Sequence, residues 1–297
     1  MTTHTNYTWG FFGSSDFSII VLDELASRGL IPTYIVTTED KPKGRKLVLT
    51  PPEVKVWAEQ HSIPYVQLKT LRKDESVEAI KSMSPNGSDV FVVASYGKII
   101  PQSIIDIPRR GVLNVHPSLL PKLRGASPIQ SSLLTEIETG VTIMQIDADM
   151  DHGPLLAQEK IISWDGFMEN KTELPYSSEL KDLLGKKGAQ MLADVFVPWI
   201  ENQITAHEQN HALATVCGKI EKEDGKIDLT GDPETNLRKI HAFHQWPGAY
   251  YIHHRNGKDV RVIVKKARIE NRLLVLERVV PEGKKEMDYA DFIRGER

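Results

Sequence analysis

Cysteine is all but absent: Cys217 is the only one in 297 residues. A single thiol excludes an intrachain disulfide and any multi-cysteine metal site, and it suits a reducing compartment. A surplus of positive charge is missing too. The chain carries 37 Lys and Arg against 40 Asp and Glu, a net charge of -3, which excludes a protein that coats nucleic acid non-specifically. No uninterrupted apolar stretch approaches the ~20 residues needed to cross a bilayer, and residues 1–7 lack the basic-then-apolar pattern of a leader. A soluble cytoplasmic protein is the expectation.

Nucleotide and metal signatures are also lacking. The glycine-bearing turn Phe12-Gly13-Ser14-Ser15-Asp16 contains neither G-x-G-x-x-G nor the lysine of a phosphate loop, so a dinucleotide or triphosphate cofactor is not expected there. It reads as a strand-to-helix turn with a Ser or Asp cap. Asp147, Asp149 and Asp151 have the alternation of a calcium loop, but the glycine and the terminal glutamate fall in the wrong places. No metal is expected.

What is present is a 40% hydrophobic chain long enough for two domains. Short apolar runs at residues 8–12, 33–37, 90–94, 111–115 and 141–146 alternate with amphipathic stretches at 17–27, 52–61 and 76–83. This alternation predicts an α/β, Rossmann-like domain of parallel strands and crossover helices. Residues 39–51 break the rhythm with four basic residues and few apolar side chains, and predict an exposed loop. A long helix is predicted over 178–201, then a polar linker over 202–211, which sets the domain boundary between residues 203 and 204. Beyond it, strands at 214–220, 249–253, 260–265 and 273–279 with one helix at 234–242 suit a small OB-like β-barrel. Residues 206–297 hold 17 Lys and Arg against 15 Asp and Glu, and the remainder 20 against 25, so the smaller domain is the mildly basic one.

The chemistry-bearing stretch is Asn114-Val115-His116-Pro117, at the end of an apolar run. Residues two apart share a strand face, which sets an amide and an imidazole side by side at the carboxyl edge of a sheet. A second strand, Gly140 to Ile146, runs into Asp147-Ala148-Asp149-Met150-Asp151-His152-Gly153. A carboxylate from this loop could approach His116 and favour its imidazolium. On charge alone Asp147, Asp149 and Asp151 compete for that place.

The combination N-x-H-x-S-L-L-P-x-x-R-G, then G-V-T-I-M-x-x-D, then D-x-G, closely resembles the 10-formyltetrahydrofolate-dependent formyltransferases over nearly the whole chain. Arg124-Gly125-Ala126-Ser127-Pro128-Ile129-Gln130, Trp246-Pro247-Gly248-Ala249 and Pro281-Glu282-Gly283-Lys284-Lys285 resemble the branch whose acceptor is the α-amine of initiator methionyl-tRNA. The resemblance implies Asn114, His116 and Asp151 as the catalytic set. It also implies a folate site that includes Ser118, Leu119, Leu120 and Pro121, with Lys98, Ile99, Ile100 and Gly153 flanking the pterin. Lys41, Lys43, Arg45 and Lys46 correspond to the insertion that meets the tRNA acceptor end. There the family usually shows an arginine where this chain has Lys41, which keeps charge but loses the planar fork. The second domain looks short between Val262 and Val279, implying an abbreviated barrel. The implied activity is formyl transfer by a monomer, with folate as co-substrate. An amino-sugar nucleotide acceptor, a non-catalytic RNA-binding module and a formate-releasing hydrolase are the rival readings.

Overall fold

The computed structural model describes residues 7–44, 47–167, 173–255 and 257–295. They form two compact units. The first comprises residues 1–126, 140–161 and 182–216, and the second comprises 127–139, 162–181 and 217–297.

The strands of the first half are β1 (Trp9–Gly13), β2 (Tyr34–Thr37), β3 (Lys41–Lys43), β4 (Val48–Thr50), β5 (Tyr65–Gln67), β6 (Val90–Ala94), β7 (Val112–His116), β8 (Arg124–Gly125), β9 (Glu138–Gln145) and β10 (Leu155–Ser163). The helices are α1 (Asp16–Ser27), α2 (Glu53–Gln60), α3 (Asp74–Ser82), α4 (Gln102–Ile105), α5 (Pro128–Thr135) and α6 (Ser177–Ile200). Seven strands make one sheet in the order β10-β9-β7-β6-β1-β2-β5. β5, β2, β1, β6 and β7 run parallel. Such strands are apolar throughout because helices cover both faces, and β1, β2 and β6 are buried at every position. The expectation of parallel strands needs one correction: β9 pairs antiparallel to β7, Asn114 opposite Met144 and His116 opposite Thr142. The apolar run of β9 could not show direction, because alternation is the same either way.

The turn after β1 is a structural one. Ser18 Oγ accepts from the Ser14 and Ser15 amides and donates to the Ala94 carbonyl at 2.6 Å, clamping α1 onto the end of β6. Phe12, Tyr34, Phe91 and Val93 share one core cluster beneath it. Gly10 is required there, because a Cβ would strike the Tyr34 ring. Burial pushes the Tyr34 hydroxyl up to about 12.

Of the described residues in this stretch, Glu39, Lys41 to Gly44 and Leu47 to Leu49 are exposed, but they are not loop alone: β3 and β4 pair antiparallel. Leu47, Val48 and Leu49 stay exposed, so pairing is local and needs no core. Arg45 and Lys46 lie outside the described residues.

In the second unit, α7 (Pro233–Ala242) starts at Asp232, whose carboxylate accepts from the Thr235 amide at 2.7 Å, with Pro233 preset for the first turn. The chain then forms β12 (Tyr250–Arg255), β13 (Lys258–Glu270), β14 (Leu273–Pro281), β15 (Met287–Asp288) and α8 (Tyr289–Arg294). These four strands make an antiparallel sheet in chain order. Pairing that would close a barrel is not seen among the described residues. Asn271 and Arg272 both have positive φ and join β13 to β14 in a two-residue turn, leaving no room for further strands. The predicted strand at 214–220 shrinks to β11 (Val216–Cys217).

His241, on α7, is buried and stacks on Tyr176 at 4.2 Å. Burial pushes its imidazole down to about 4, partly opposed by the Pro175 and Leu174 backbones. Above pH 6.5 neither folded nor unfolded His241 is charged. Between 6.5 and 4 the unfolded chain takes up a proton that the folded one refuses, so stability should fall by up to about 3 kcal/mol across that window and then level. His244, lowered by the same cause, adds to the slope. Thermal unfolding followed against pH should show this acid loss, and His241→Phe should flatten it; an unchanged slope in the variant would count against His241 as its source.

Candidate active site

The site lies in the first unit, at the carboxyl end of β7, where open α/β sheets bind ligands. Asn114 is half-buried and His116 is 4% exposed on the same face of β7. The loop after β9 returns Asp151 to them. Asp151 Oδ1 lies 3.4 Å from Asn114 Nδ2 and 3.6 Å from His116 Nδ1, while Oδ2 accepts from the Gly125 amide at 2.8 Å. Asp147 is otherwise engaged: it accepts from His152 Nδ1 at 2.7 Å and from the Asp149 amide at 3.0 Å. Among the described residues, Asp151 is the carboxylate that reaches His116. The loop needs unusual backbone to do this. Asp151 sits at φ 50, a left-handed conformation that Asp tolerates better than most, and a Cβ on Gly153 would collide with the Gln145 carbonyl.

His116 is fixed from its other side, since its Nε2 lies 3.1 Å from the Leu123 carbonyl. A carbonyl only accepts, so Nε2 carries a proton and Nδ1 is the ring nitrogen left to face Asp151. Sequence reasoning did not find this role for Leu123, nor that of the Gly125 amide, because a backbone contact leaves no residue-type signal.

The remaining expected residues are placed variously. Ser118 is buried, with its hydroxyl donating to the Lys122 carbonyl at 2.7 Å, and Leu120 is buried beside Thr142. The Ser118–Pro121 turn is thus tied to β9 rather than open. Lys98 donates to the Leu68 and Lys69 carbonyls, and burial, with the nearby Lys41 charge, lowers its ammonium. Ile99 is exposed and Ile100 is buried. Lys41 and Lys43 are exposed on β3, Lys43 pairing with Glu53 at 2.8 Å. A cavity of about 480 Å³ opens beside the loop, lined by Gln102, Ile105, Asp106, Gly111, Ile146 and Asp147 among others. None of these was expected from the sequence except Asp147. A lining that mixes apolar side chains with two carboxylates and two side-chain amides suits a flat ring system bearing N–H donors.

An amide donor, an imidazole and a carboxylate brought together in this way can donate to a developing oxyanion and accept a proton, the two tasks of transfer at an acyl-type carbon. Residues 11–172 match the formyl transferase family and residues 219–273 its C-terminal domain, and the chain belongs to this family. It is a transferase. The methionyl-tRNA formyltransferase of Chloroflexus aggregans is 40% identical over 244 residues, 81% of this chain and 74% of that protein. The methionyl-tRNA formyltransferase of Halalkalibacterium halodurans is 34% identical over 309 residues, 96% of this chain and 93% of that one. A 4-N formyltransferase from Francisella tularensis shares the fold, with a TM-score of 0.63 at 17% identity over 88% of this chain and 99% of its own. No helix among the described residues is long and apolar enough to cross a membrane.

Proposed function

We propose that this chain transfers the formyl group of 10-formyltetrahydrofolate to the α-amine of initiator methionyl-tRNA, as a monomeric cytoplasmic enzyme of translation initiation. The observation that carries the chemistry is that Asp151 Oδ1 lies within 3.6 Å of both Asn114 Nδ2 and His116 Nδ1. All three come from one chain, so no second copy is needed.

Asn114 and His116 donate to the formyl oxygen as the neutral amine adds to the formyl carbon, and each such donor is worth about 3 kcal/mol. Asp151 balances the imidazolium and takes the proton that the attacking nitrogen loses, directly or through water. As the bond from carbon to the folate nitrogen breaks, that proton passes to the departing nitrogen. The α-amine, with a pKa of about 8, is neutral often enough near pH 7.5 that no strong base is required.

The cavity lined by Ile105, Asp106, Ile146 and Asp147 fits the pterin. Gly153, Ser118, Leu119, Leu120 and Pro121, with Lys98, Ile99 and Ile100, are assigned to the remainder of the folate site on the family resemblance. Lys41 and Lys43, with Arg45 and Lys46, supply the positive charge that meets the tRNA acceptor end, and residues 204–297 bind the tRNA body while 1–203 carry the catalysis. Support for the tRNA acceptor comes from relatives of that name along 96% of the chain.

A formylation assay that offers initiator methionyl-tRNA, elongator methionyl-tRNA and an amino-sugar nucleotide tests the proposal. Preferential formylation of the initiator tRNA is expected. Formylation of the amino sugar alone, or release of formate with no acceptor, would overturn it.

A further inference from the structure

Asp151 is held by its side-chain contact to Gly125, yet its loop is also held from behind by a residue 58 positions away. Gln209 is 5% exposed and lies in the polar stretch that follows α6. Its Nε2 donates to the Asp151 carbonyl at 3.0 Å and to the Gly153 carbonyl at 2.7 Å. Its Oε1 accepts from Arg124 Nη2 at 2.7 Å. Both amide hydrogens are therefore directed at the two carbonyls flanking His152, and the oxygen is committed to a buried guanidinium.

Arg124 completes a ring of contacts around the site. Its neighbours on either side hold the two titratable groups: the Leu123 carbonyl accepts from His116 and the Gly125 amide donates to Asp151. Arg124 Nη2 also donates to His211 Nδ1 at 2.8 Å, and His211 stacks on His152 at 4.1 Å. Thr215 pins the same segment, accepting from the Leu123 amide through Oγ1 at 2.8 Å and from the Arg124 amide through its carbonyl at 2.9 Å. The 207–215 stretch therefore grips both the segment that orients His116 and the loop that delivers Asp151. All of these residues belong to the first unit.

We propose that Gln209 is a positioning residue for formyl transfer: held by Arg124, it clamps the carbonyls of Asp151 and Gly153 and so sets the Asp151 carboxylate against His116 and Asn114. The physical need is clear in the loop itself. Asp151 is at positive φ, a conformation that costs free energy unless its surroundings over-determine it. Two charge-neutral hydrogen bonds to the carbonyls on either side of His152 supply the constraint, and a misplacement of about 1 Å in a reacting group costs up to about 100-fold in rate. Gln209 touches no reacting atom, so its effect passes through Asp151. This inference rests on the proposed formyl-transfer reading of the site.

Gln209→Met keeps the side-chain length and removes all three hydrogen bonds. Gln209→Glu keeps an acceptor for Arg124 but turns a carboxylate against two carbonyls. Gln209→Met should lower kcat about 30-fold with little change in KM for either substrate, and Gln209→Glu should lower it further even though it forms an ion pair with Arg124. A role confined to folding stability gives the opposite ranking. The decisive measurement is a double-mutant cycle in single-turnover formylation. In an Asp151→Asn background, Gln209→Met should have less than a threefold further effect, since the group it positions has already been disabled. If the two losses multiply in full, or if Gln209→Met alone leaves kcat unchanged, the positioning role is wrong. Failure of the wild-type protein to formylate at all would instead reject the underlying functional reading, so the two failures are separable.

Discussion

Replacing His116 with alanine is expected to slow single-turnover formylation of charged initiator tRNA about 1,000-fold while leaving tRNA affinity within about twofold. The size follows from two losses at one atom. The imidazole supplies a donor to the developing oxyanion, worth about 3 kcal/mol, and it shares the proton transfer, which contributes a further 10²-fold or more in comparable sites; because the two act on one transition state they overlap and do not add in full. Binding should survive because the ring is 4% exposed and its firm contact is internal, to the Leu123 carbonyl. That same contact shapes the choice of control. His116→Gln restores a donor to Leu123 but has no titratable nitrogen facing Asp151, so it should recover fold stability without recovering rate. A near wild-type rate in His116→Ala would remove the imidazole from the chemistry.

Asp151→Asn is expected to cost between about 100- and 1,000-fold in kcat with KM for folate and tRNA nearly unchanged. The substitution is close to isosteric, and Asn is the other residue that tolerates the left-handed backbone found at φ 50. Its amide oxygen can still accept from Gly125. What disappears is the negative charge 3.6 Å from His116 Nδ1, and with it the acceptor for the proton of the attacking amine. Because hydroxide, through water, can also take the proton from the adduct, the loss should be smaller at pH 8.5 than at pH 7. Equal losses at both pH values would show that Asp151 acts on geometry alone, and an unchanged kcat would exclude it from the reaction.

The two ends of the proposed catalytic arrangement differ in how far the sequence reveals them. Asn114 and His116 are legible because a strand has period two and ends at a proline, so two polar residues spaced by one must share a face. Asp151 is not legible in that way. Three acids follow one another at alternate positions in the same loop, and what selects among them is backbone: the positive φ at Asp151, the space that Gly153 leaves beside Gln145, and the engagement of Asp147 by His152. The family resemblance implies Asp151, and among the described residues its carboxylate is the one that lies 3.6 Å from His116 Nδ1. The cavity beside the loop was illegible for the same kind of reason, since Gln102, Asp106 and Ile146 meet only when α4 and the end of β9 are brought together.

Strand direction and strand count show the same division. The apolar runs marked β1, β2, β6, β7 and β9, but the antiparallel placement of β9 depends on how the chain returns across the sheet, which a run of buried residues does not encode. β10 passed unseen because its middle is polar, as suits an edge strand that must resist further pairing. β3 and β4 read as loop in the sequence because pairing between exposed strands needs no hydrophobic pattern.

By itself, the sequence determined what depends on local periodicity and residue chemistry: an α/β first domain, a β-rich second part, the Asn114 and His116 pair, and membership in a formyl-transferring family. Only the tertiary structure decided which carboxylate meets His116, which ring nitrogen of His116 is free, and that Gln209 reaches back to hold the Asp151 loop. The reason is physical. Periodicity is a property of neighbours along the chain, whereas a carbonyl that accepts from an imidazole, or an amide that clamps a loop 56 residues away, is specified by distance in space and leaves no pattern in the residues between.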